Sequence, residues 1–495
     1  MTCSERFILS VDIGTTSIRC HVYDKEAKIR GTCTTKVSLL YPEPGRVEMD
    51  PEELWQSFVT VVKGAVQDSG FQMRQMEAIG ISTQRATFTT WDRLTGRVFH
   101  NFISWQDLRA AELVKSWNQS CTMKFVHGAM KVLHLLTRQN RFLAASLVVF
   151  STQHVSLRLA WMLCNCPEVR DKAVDGNNCC FGTIDTWLLY KLTKALSHCV
   201  CVCVCVCVCA RTFQMCWSSV LCSLLSLPLS ILPKVQNTSH NFGSSDPSIF
   251  GVAIPIMSVM ADQQAAMFGE CCFDVGDVKI TMGTGTFMDI NTGAKPHTSI
   301  AGLYPLVGWK IGHNVVPDTT EEMANSVKDS DGVCFVPSFS GLQAPLNDPR
   351  ACASFMGLKP STTKHHLVRA ILESVAFRNK QLYDIMRRET HIPISKIRAD
   401  GGVCTNDFVM QLTADLLGLK IARPSHFDMS ALGAAFMAGL GVGFWNSQEE
   451  LKMLLSTDHL FLPQNALQGV ASHYKPILQS WERALQRSMH WYSKS

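Results

Sequence analysis

Two short glycine–threonine turns, about half the chain apart, carry residue types suited to binding phosphate. The first spans residues 12–17 with the sequence DIGTTS, and the second spans residues 281–286 with the sequence TMGTGT. Glycine lets the backbone approach a ligand closely, and successive turn amides with threonine hydroxyls form a concave site for phosphate oxygens. Only the first turn carries an acid, Asp12, where the second has Thr281. This asymmetry favours a single metal–phosphate centre.

Each turn lies between two apolar segments, which predicts that each copy is a β-hairpin. Residues 7–11 and 18–23 flank the first turn, and residues 278–280 and 287–290 flank the second. The common dinucleotide-binding and P-loop motifs place a helix after their glycine turn, whereas a strand follows here. The repeat predicts two related half-molecules that close on one nucleotide.

Alternating strands and helices are predicted around these hairpins. In the first half we expect strands at residues 78–82 and 86–91, and a helix at 186–192 capped by Asp185. In the second half we expect a long helix from about residue 364 to 388 and a strand at 396–399. The sequence DGGVCTN then leads into a helix at 407–417. A glycine turn that meets a helix N-terminus is a natural site for phosphate or the edge of a nucleotide.

The composition is that of a globular protein with room for two large domains. The chain has 495 residues, with 46% hydrophobic and 18% charged residues. Its net charge of +5 is mild and scattered, so we expect no nucleic-acid partner. No secretory signal or transmembrane segment is expected, and this predicts a cytoplasmic protein. The 21 cysteines form no repeated C-x-x-C pair, which indicates reduced, mostly buried thiols rather than a zinc site.

Residues 199–209 are a strict alternation of cysteine and valine. A metal-thiolate tract or an exposed strand is disfavoured, because one strand face would be all thiol and the other all valine, with no turn to wrap the sulfurs around an ion. A (TG)n repeat in DNA encodes the same alternation. We interpret the tract as sequence that is not part of the working protein.

An ordered set of segments in this chain resembles the FGGY carbohydrate kinases. The matching segments are residues 12–19, 82–85, 104–107, 261–264, 282–286, 337–349 and 400–406. The resemblance implies an α/β fold with two ribonuclease-H-like domains, as in the actin/hexokinase ATPases, around a central cleft. It further implies an N-terminal domain at residues 5–270 for polyol and phosphate, containing a suspect segment at 195–215. The C-terminal domain for nucleotide would span residues 271–470.

Within that family the segments look most similar to the glycerol kinases, which implies ATP-dependent phosphorylation of glycerol to glycerol 3-phosphate. By resemblance, Asp262 is the catalytic base, and Asp12 holds Mg²⁺ through water. The residues implied to bind phosphate and nucleotide are Gly14, Thr15, Thr16, Arg19, Gly283, Thr284, Gly402 and Asn406. Arg85, Trp105 and Gln263 would contact the polyol. The partner would be a small polyol, and a homo-oligomer is possible in this family.

Four departures from the family pattern qualify that function. Ala86 stands where these kinases usually have a glutamate, and Gln153 is expected at the place of a pocket tyrosine. The Cys-Val tract replaces a polar loop expected after Lys194, and the chain is short near residues 314–322. Two alternatives therefore stay open, namely a kinase for another small polyol or sugar and a catalytically weak nucleotide-binding scaffold. We expect the activity of the chain as written to be impaired.

Overall fold

A computed structural model describes most of residues 5–492. The residues outside the description are 1–4, 148, 175–177, 195–198, 202–209, 212–215, 283–285, 295–305, 312–313, 317–329, 340, 343–345, 347, 349, 427, 465–469 and 493–495. Most of the Cys-Val tract, the second glycine turn and most of the short region near 314–322 are thus outside the described residues. The predictions for Gly283 and Thr284 fall there too.

The strands follow in chain order. They are β1 (Phe7–Ile13), β2 (Ser17–Tyr23), β3 (Ile29–Lys36), β4 (Glu48–Met49), β5 (Met76–Thr83), β6 (Phe88–Asp92), β7 (Phe102–Ile103), β8 (Cys179–Thr183), β9 (Cys199–Cys201), β10 (Ala210–Arg211), β11 (Cys216–Trp217), β12 (Lys234–Gln236), β13 (Ile256–Ala261), β14 (Asp277–Met282), β15 (Thr286–Ile290), β16 (Trp309–Ile311), β17 (Asn314–Val316), β18 (Cys334–Val336), β19 (Ser354–Met356), β20 (Lys396–Asp400), β21 (Ile421–Pro424) and β22 (Thr457–Phe461).

The α-helices are likewise numbered along the chain. They are α1 (Pro51–Ser69), α2 (Ala111–Gln119), α3 (Cys121–Thr137), α4 (Asn140–Ala145), α5 (Val155–Asn165), α6 (Pro167–Val174), α7 (Ile184–Leu192), α8 (Ser219–Leu224), α9 (Pro247–Phe250), α10 (Asp262–Gly269), α11 (Lys364–Thr390), α12 (Asp407–Leu417), α13 (Met429–Gly441), α14 (Gln448–Leu454) and α15 (Val470–Ser488). Short 3₁₀ helices lie at Met73–Gln75, Leu229–Ile231 and Gly402–Thr405.

The chain forms two compact units that are discontinuous in sequence. The first comprises Met1–Cys271, Leu306–Val316 and Ser430–Leu454. The second comprises Cys272–Pro305, Pro317–Met429 and Leu455–Ser495. Among the described residues, no helix combines the length and apolarity needed to cross a bilayer.

The first unit is built on a five-stranded sheet in the order β13-β5-β1-β2-β3. Strands β1 and β2 form the predicted antiparallel hairpin, while β5 pairs in parallel with both β1 and β13. Every residue of β1 is buried, as expected for a strand covered on both faces. Helix α13 covers this sheet, because Ser10 Oγ donates to the Ala431 carbonyl at 2.6 Å and Gly80 lies against Ala434 with no room for a Cβ atom.

A second sheet in the first unit has the order β4-β7-β6-β8. Its strands pair antiparallel, and Phe88 of β6 and Phe181 of β8 pack with helix α5 in one apolar cluster. Strand β9, the start of the Cys-Val tract, pairs in parallel with β12.

The second unit repeats the pattern of the first with its own five-stranded sheet, β15-β14-β20-β21-β22. Strands β14 and β15 form the second predicted hairpin, and β14 pairs in parallel with β20. The predicted strand at 396–399 and the helices at 364–388 and 407–417 are confirmed as β20, α11 and α12. Both sheets thus begin with a hairpin whose first strand pairs in parallel with a later strand, which agrees with two ribonuclease-H-like units.

Local sequence accounts for the start of α1, whereas the predicted cap of α7 needs a correction. Asp50 caps α1 by accepting from the amides of Glu52 and Glu53 at 2.8 and 2.9 Å. The prediction that Asp185 caps α7 is wrong, because the helix begins at Ile184 and the cap position is Thr183. Asp185 is fully buried in the first turn, where Thr183 Oγ1 donates to its carboxylate.

Candidate active site

The carboxyl ends of three parallel strands in the first unit bring its predicted site residues to one sheet edge. Strand β1 ends in the Asp12–Thr16 turn, β5 ends before Gln84 and Arg85, and β13 ends before Asp262. The ladder pairs Asp12 with Ser82, and Thr83 with Ala261. Ligands of open α/β sheets bind at this edge, outside the carboxyl ends of the strands.

Asp12 is anchored at this edge by the strand next to it. Its side chain is 9% exposed, and its Oδ1 accepts a hydrogen bond from Ser82 Oγ at 2.7 Å. Arg19 lies directly across the β1–β2 hairpin from Asp12, so the two side chains lie on the same sheet face. A carboxylate and a guanidinium are thereby brought to the turn between the two strands.

Gln84 joins that turn to the neighbouring segments. Its Nε2 donates to the Gly14 carbonyl at 3.0 Å, and its Oε1 accepts from Thr15 Oγ1 at 3.4 Å and from Thr87 Oγ1 at 3.2 Å. Trp105 Nε1 donates to the same Thr15 hydroxyl at 3.1 Å. The predicted phosphate turn and the predicted polyol wall therefore belong to one hydrogen-bonded network.

The predicted polyol residues lie beside this network. Arg85 and Trp105 are half-buried, and Gln263 is buried in α10. Ala86 is buried among apolar side chains and has a φ of 65°, a left-handed conformation uncommon outside glycine. Gln153 is exposed, and its carbonyl accepts from Arg158 Nη2 at 3.2 Å.

Asp262 is the first residue of α10 and is half-buried. Its Oδ1 accepts from the Gln263 amide at 2.8 Å. A carboxylate in the first turn of a helix is stabilised by the helix dipole and by the orphan amides there. Asp262 also follows the end of β13, so it lies at the same sheet edge as Asp12.

The second unit holds a buried polar cluster below its own hairpin. Lys279 and Asp289 face each other across β14 and β15, with Nζ and Oδ2 2.6 Å apart and neither side chain exposed. Thr281 Oγ1 donates to Asp400 Oδ1 at 2.5 Å. Burial raises the pKa of Asp400 above its usual range, although Lys279 and the Thr281 hydroxyl act in the opposite direction.

The turn after β20 approaches the hairpin with backbone against backbone. Gly401 has a φ of 88°, and a Cβ atom there would lie 2.6 Å from the Met282 carbonyl oxygen. Gly402 next to it is exposed, with no atom within 4 Å of where its Cβ would be. Asn406 caps α12 by accepting from the Val409 amide at 3.1 Å. Of the residues predicted to bind nucleotide here, Gly402 thus faces open space and Asn406 lies at a helix N-terminus.

The site also includes four residues that were not predicted from the sequence, namely Ser82, Gln84, Thr87 and Gly401. Three of these lie in or next to the STQR segment at residues 82–85, and the fourth is the first glycine of DGG. Their polar side chains or missing Cβ atoms were visible in the sequence, but their partners lie far along the chain, 70 residues away for Ser82 and Gln84 and 119 for Gly401. Among the described residues, no group of three or more histidine, cysteine and acidic side chains could hold a metal ion.

Comparison with known proteins identifies the family. Residues 7–269 match the N-terminal domain and residues 314–442 the C-terminal domain of the FGGY family of carbohydrate kinases. Glycerol kinase 5 of Danio rerio is 71% identical over 518 aligned residues, covering 99% of this chain and 98% of the relative. Human glycerol kinase 5 is 57% identical over 515 residues, covering 99% of this chain and 96% of the relative. Because both alignments are longer than the 495-residue chain, this chain lacks positions that its relatives have.

Solved structures give the same result for the fold. The glycerol kinase of Plasmodium falciparum, solved with ADP, has a TM-score of 0.84 at 27% identity and covers 98% of both chains. A ligand-bound xylulose kinase of Lactobacillus acidophilus has a TM-score of 0.78 at 18% identity, covering 99% of this chain and 100% of that one. The predicted ribonuclease-H-like fold of the actin/hexokinase ATPases is confirmed. This chain belongs to the FGGY family of carbohydrate kinases.

Proposed function

We propose that this protein transfers the terminal phosphoryl group of ATP to a hydroxyl of glycerol, giving glycerol 3-phosphate and ADP. The observation that carries the proposal is the shared strand edge of Asp12, the Gly14–Thr16 turn, Arg85 and Asp262. The high identity to proteins named glycerol kinase 5 supports glycerol as the substrate. We further propose that the reaction takes place in the cytoplasm.

Phosphoryl transfer asks a protein mainly to position reactants, neutralise charge and accept a proton. In this proposal Asp262 accepts the proton of the attacking glycerol hydroxyl. The amides of the Gly14–Thr16 turn and the Arg19 guanidinium bind phosphate oxygens, as do Gly283 and Thr284 of the second turn. Gly402 and the Asn406 amide lie beside the adenosine.

A divalent cation fits the donor set at Asp12. Mg²⁺ keeps several of its waters and typically binds through one or two carboxylates together with substrate phosphates. Asp12 is a single, nearly buried carboxylate beside a phosphate turn, which is the ligand such an ion requires. Bound there, Mg²⁺ would neutralise charge on the transferring phosphates.

The polyol pocket supports a second candidate function, phosphorylation of another small polyol or sugar. Arg85 can donate to hydroxyl oxygens, and Trp105 offers an apolar wall. Ala86, however, has no group that could accept from a hydroxyl. A catalytically weak scaffold is disfavoured, because a scaffold has no need of the carboxylate at residue 262.

The test measures ADP release with glycerol, dihydroxyacetone, xylulose or gluconate as the acceptor. It uses the chain as written and a restored chain, in which residues 195–215 and the short region at 314–322 are replaced by the matching segments of the Danio rerio relative. The restored chain is expected to prefer glycerol, and the chain as written to be poorly soluble and inactive. An uncharged, proline-free Cys-Val run favours aggregation and supplies none of the polar groups of a substrate loop. Full activity of the chain as written would refute this expectation, and a preference for xylulose or gluconate would select the second candidate.

The role of Asp262 is tested in the restored chain. Asp262→Asn is expected to lower turnover by roughly 10²–10⁴-fold with ATP binding intact, because a positioned general base contributes about that much. Asp384→Asn, which removes a surface carboxylate paired with Lys380, is the matched control and should leave turnover unchanged. Near-normal turnover of Asp262→Asn would rule out Asp262 as the base.

A further inference from the structure

A fully buried arginine lies behind the predicted polyol pocket. Arg158 belongs to α5 and has no exposed surface. Its guanidinium lies 5.7 Å from the centre of the Phe88 ring, within the apolar cluster of the first unit. Burying a charged guanidinium in an apolar core costs free energy unless its N–H groups donate hydrogen bonds. The acceptors of those bonds therefore indicate the role of Arg158.

Backbone carbonyl oxygens from three separate segments accept from this side chain. Nη1 donates to the Ser104 oxygen at 2.5 Å, and Nη2 donates to the Ala86 oxygen at 2.7 Å. Nη2 also lies 3.2 Å from the carbonyl oxygen of Gln153. Ser104 is 54 residues and Ala86 72 residues from Arg158 along the chain, so this side chain links distant segments.

Two of these segments carry the predicted polyol contacts. Ala86 directly follows Arg85, and Ser104 directly precedes Trp105. The peptide between Ser104 and Trp105 is held at both ends, because its oxygen accepts from Arg158 and its N–H donates to Thr87 Oγ1 at 3.1 Å. Its plane, and with it the start of the Trp105 side chain, is thereby fixed.

The left-handed backbone at Ala86 also indicates that Arg158 holds this segment in place. A non-glycine residue at a φ of 65° is conformationally strained and persists only where the surroundings impose it. The Ala86 carbonyl, held by Arg158, belongs to the peptide immediately after that strained residue. Lysine could not substitute, because its single ammonium lacks the planar fork that reaches two carbonyls at once.

We propose that Arg158 is a positioning residue for the polyol pocket, which holds the Arg85–Ala86 and Ser104–Trp105 segments in register through their carbonyl oxygens. The inference rests on the proposed function, because it assigns these segments to the acceptor substrate. Arg158 itself is fully buried, so the proposal gives it no direct contact with either substrate. Its loss should therefore affect polyol binding far more than ATP binding.

The experiment compares Arg158→Lys and Arg158→Met with a matched control, Arg369→Lys. Arg369 is also a buried arginine, which donates to Glu373 and Tyr474 in the second unit. In the restored chain, both Arg158 variants are expected to raise the KM for glycerol roughly 10- to 100-fold, since displacements near 1 Å cost about that much. The KM for ATP should stay nearly constant. The control should lower the melting temperature without this split.

Amide hydrogen exchange of the same restored chain supplies a readout that does not depend on activity. Arg158→Lys keeps a buried cation, which favours retention of the fold. This variant should increase the exchange rates of the Trp105 and Thr87 amides and leave those of β1 and β5 unchanged. If the restored wild-type chain phosphorylates no polyol, the proposed function fails while exchange still decides the role of Arg158. Unchanged exchange at these two amides, or KM values for glycerol and ATP that rise together, would overturn the inference.

Discussion

Gly433 lies where α13 crosses α10 with backbone against backbone, and adding one methyl group there should disturb the proposed catalytic base. A Cβ atom at Gly433 would lie 1.7 Å from the Ala265 carbonyl oxygen and 2.8 Å from the Gly269 amide nitrogen. Both atoms are main-chain atoms of α10, so no side chain can rotate away. The helices must separate by roughly 1.5 Å to reach an ordinary carbon–oxygen distance.

Two opposing terms set the expected size of the effect on stability. Overpacking a tight contact typically costs about 1–3 kcal/mol, and this contact is at the severe end. Replacing glycine by alanine in a helix interior returns about 1 kcal/mol. We therefore expect Gly433→Ala to lower the free energy of unfolding by about 2 kcal/mol. Turnover should fall by about 10²-fold, because α10 begins at Asp262 and a shift near 1 Å misaligns a reacting group.

The assay is urea unfolding together with ADP release in the restored chain. Gly128→Ala is the matched control, because Gly128 also lies inside a helix, α3, but has no atom within 4 Å of its Cβ position. The control should gain about 0.5–1 kcal/mol with no change in turnover. If Gly433→Ala gained as much as the control and kept its turnover, the close packing of α13 on α10 would be refuted.

Three further outcomes are expected. Burial raises the pKa of Asp185 to about 6, so the folded state holds its proton at pH values where the unfolded chain has lost it. The free energy of unfolding should therefore fall as pH rises from about 4 to 6, and urea titrations of Asp185→Asn should show a flatter profile over that window; an unchanged slope would contradict the assignment. Lys279→Met should cost about 3–5 kcal/mol by leaving Asp289 buried without its cation, and a second change, Asp289→Leu, should recover most of that loss in the same unfolding assay. Ala86→Glu should lower the KM for glycerol, since each regained hydrogen bond contributes about 0.5–1.5 kcal/mol; a higher KM would mean that the pocket is shaped for another acceptor.

The sequence alone predicted the parts of the fold that are encoded locally. The hairpin of β1 and β2 follows from two apolar runs around a glycine turn, and α12 follows the glycine-rich DGGVCTN turn that leads into it. These signals need only neighbouring residues. The family resemblance then supplied the candidate residues of the site, whose roles stay predictions.

The features that the sequence did not reveal depend on partners far along the chain. Asp185 resembles a helix cap, but the fold buries it within the first turn of α7. Arg158 reads as one more charged residue on a helix, and only its carbonyl partners show that it belongs to the core. No local sequence pattern indicates that residues 430–454 belong to the first unit, because that assignment depends on which helix covers the complete sheet.

The late position of residues 430–454 in the chain affects how the first unit folds during synthesis. Helix α13, which covers the sheet of the first unit, is synthesised roughly 160–170 residues after that unit's first segment ends at Cys271. At usual elongation rates of about 5–20 residues per second, the ribosome needs roughly 10–40 s to supply it. During that interval the apolar sheet face around Gly80 is complete but uncovered. The nascent chain is therefore a natural client for chaperones, and a product that stops before residue 430 should aggregate rather than persist as a folded half.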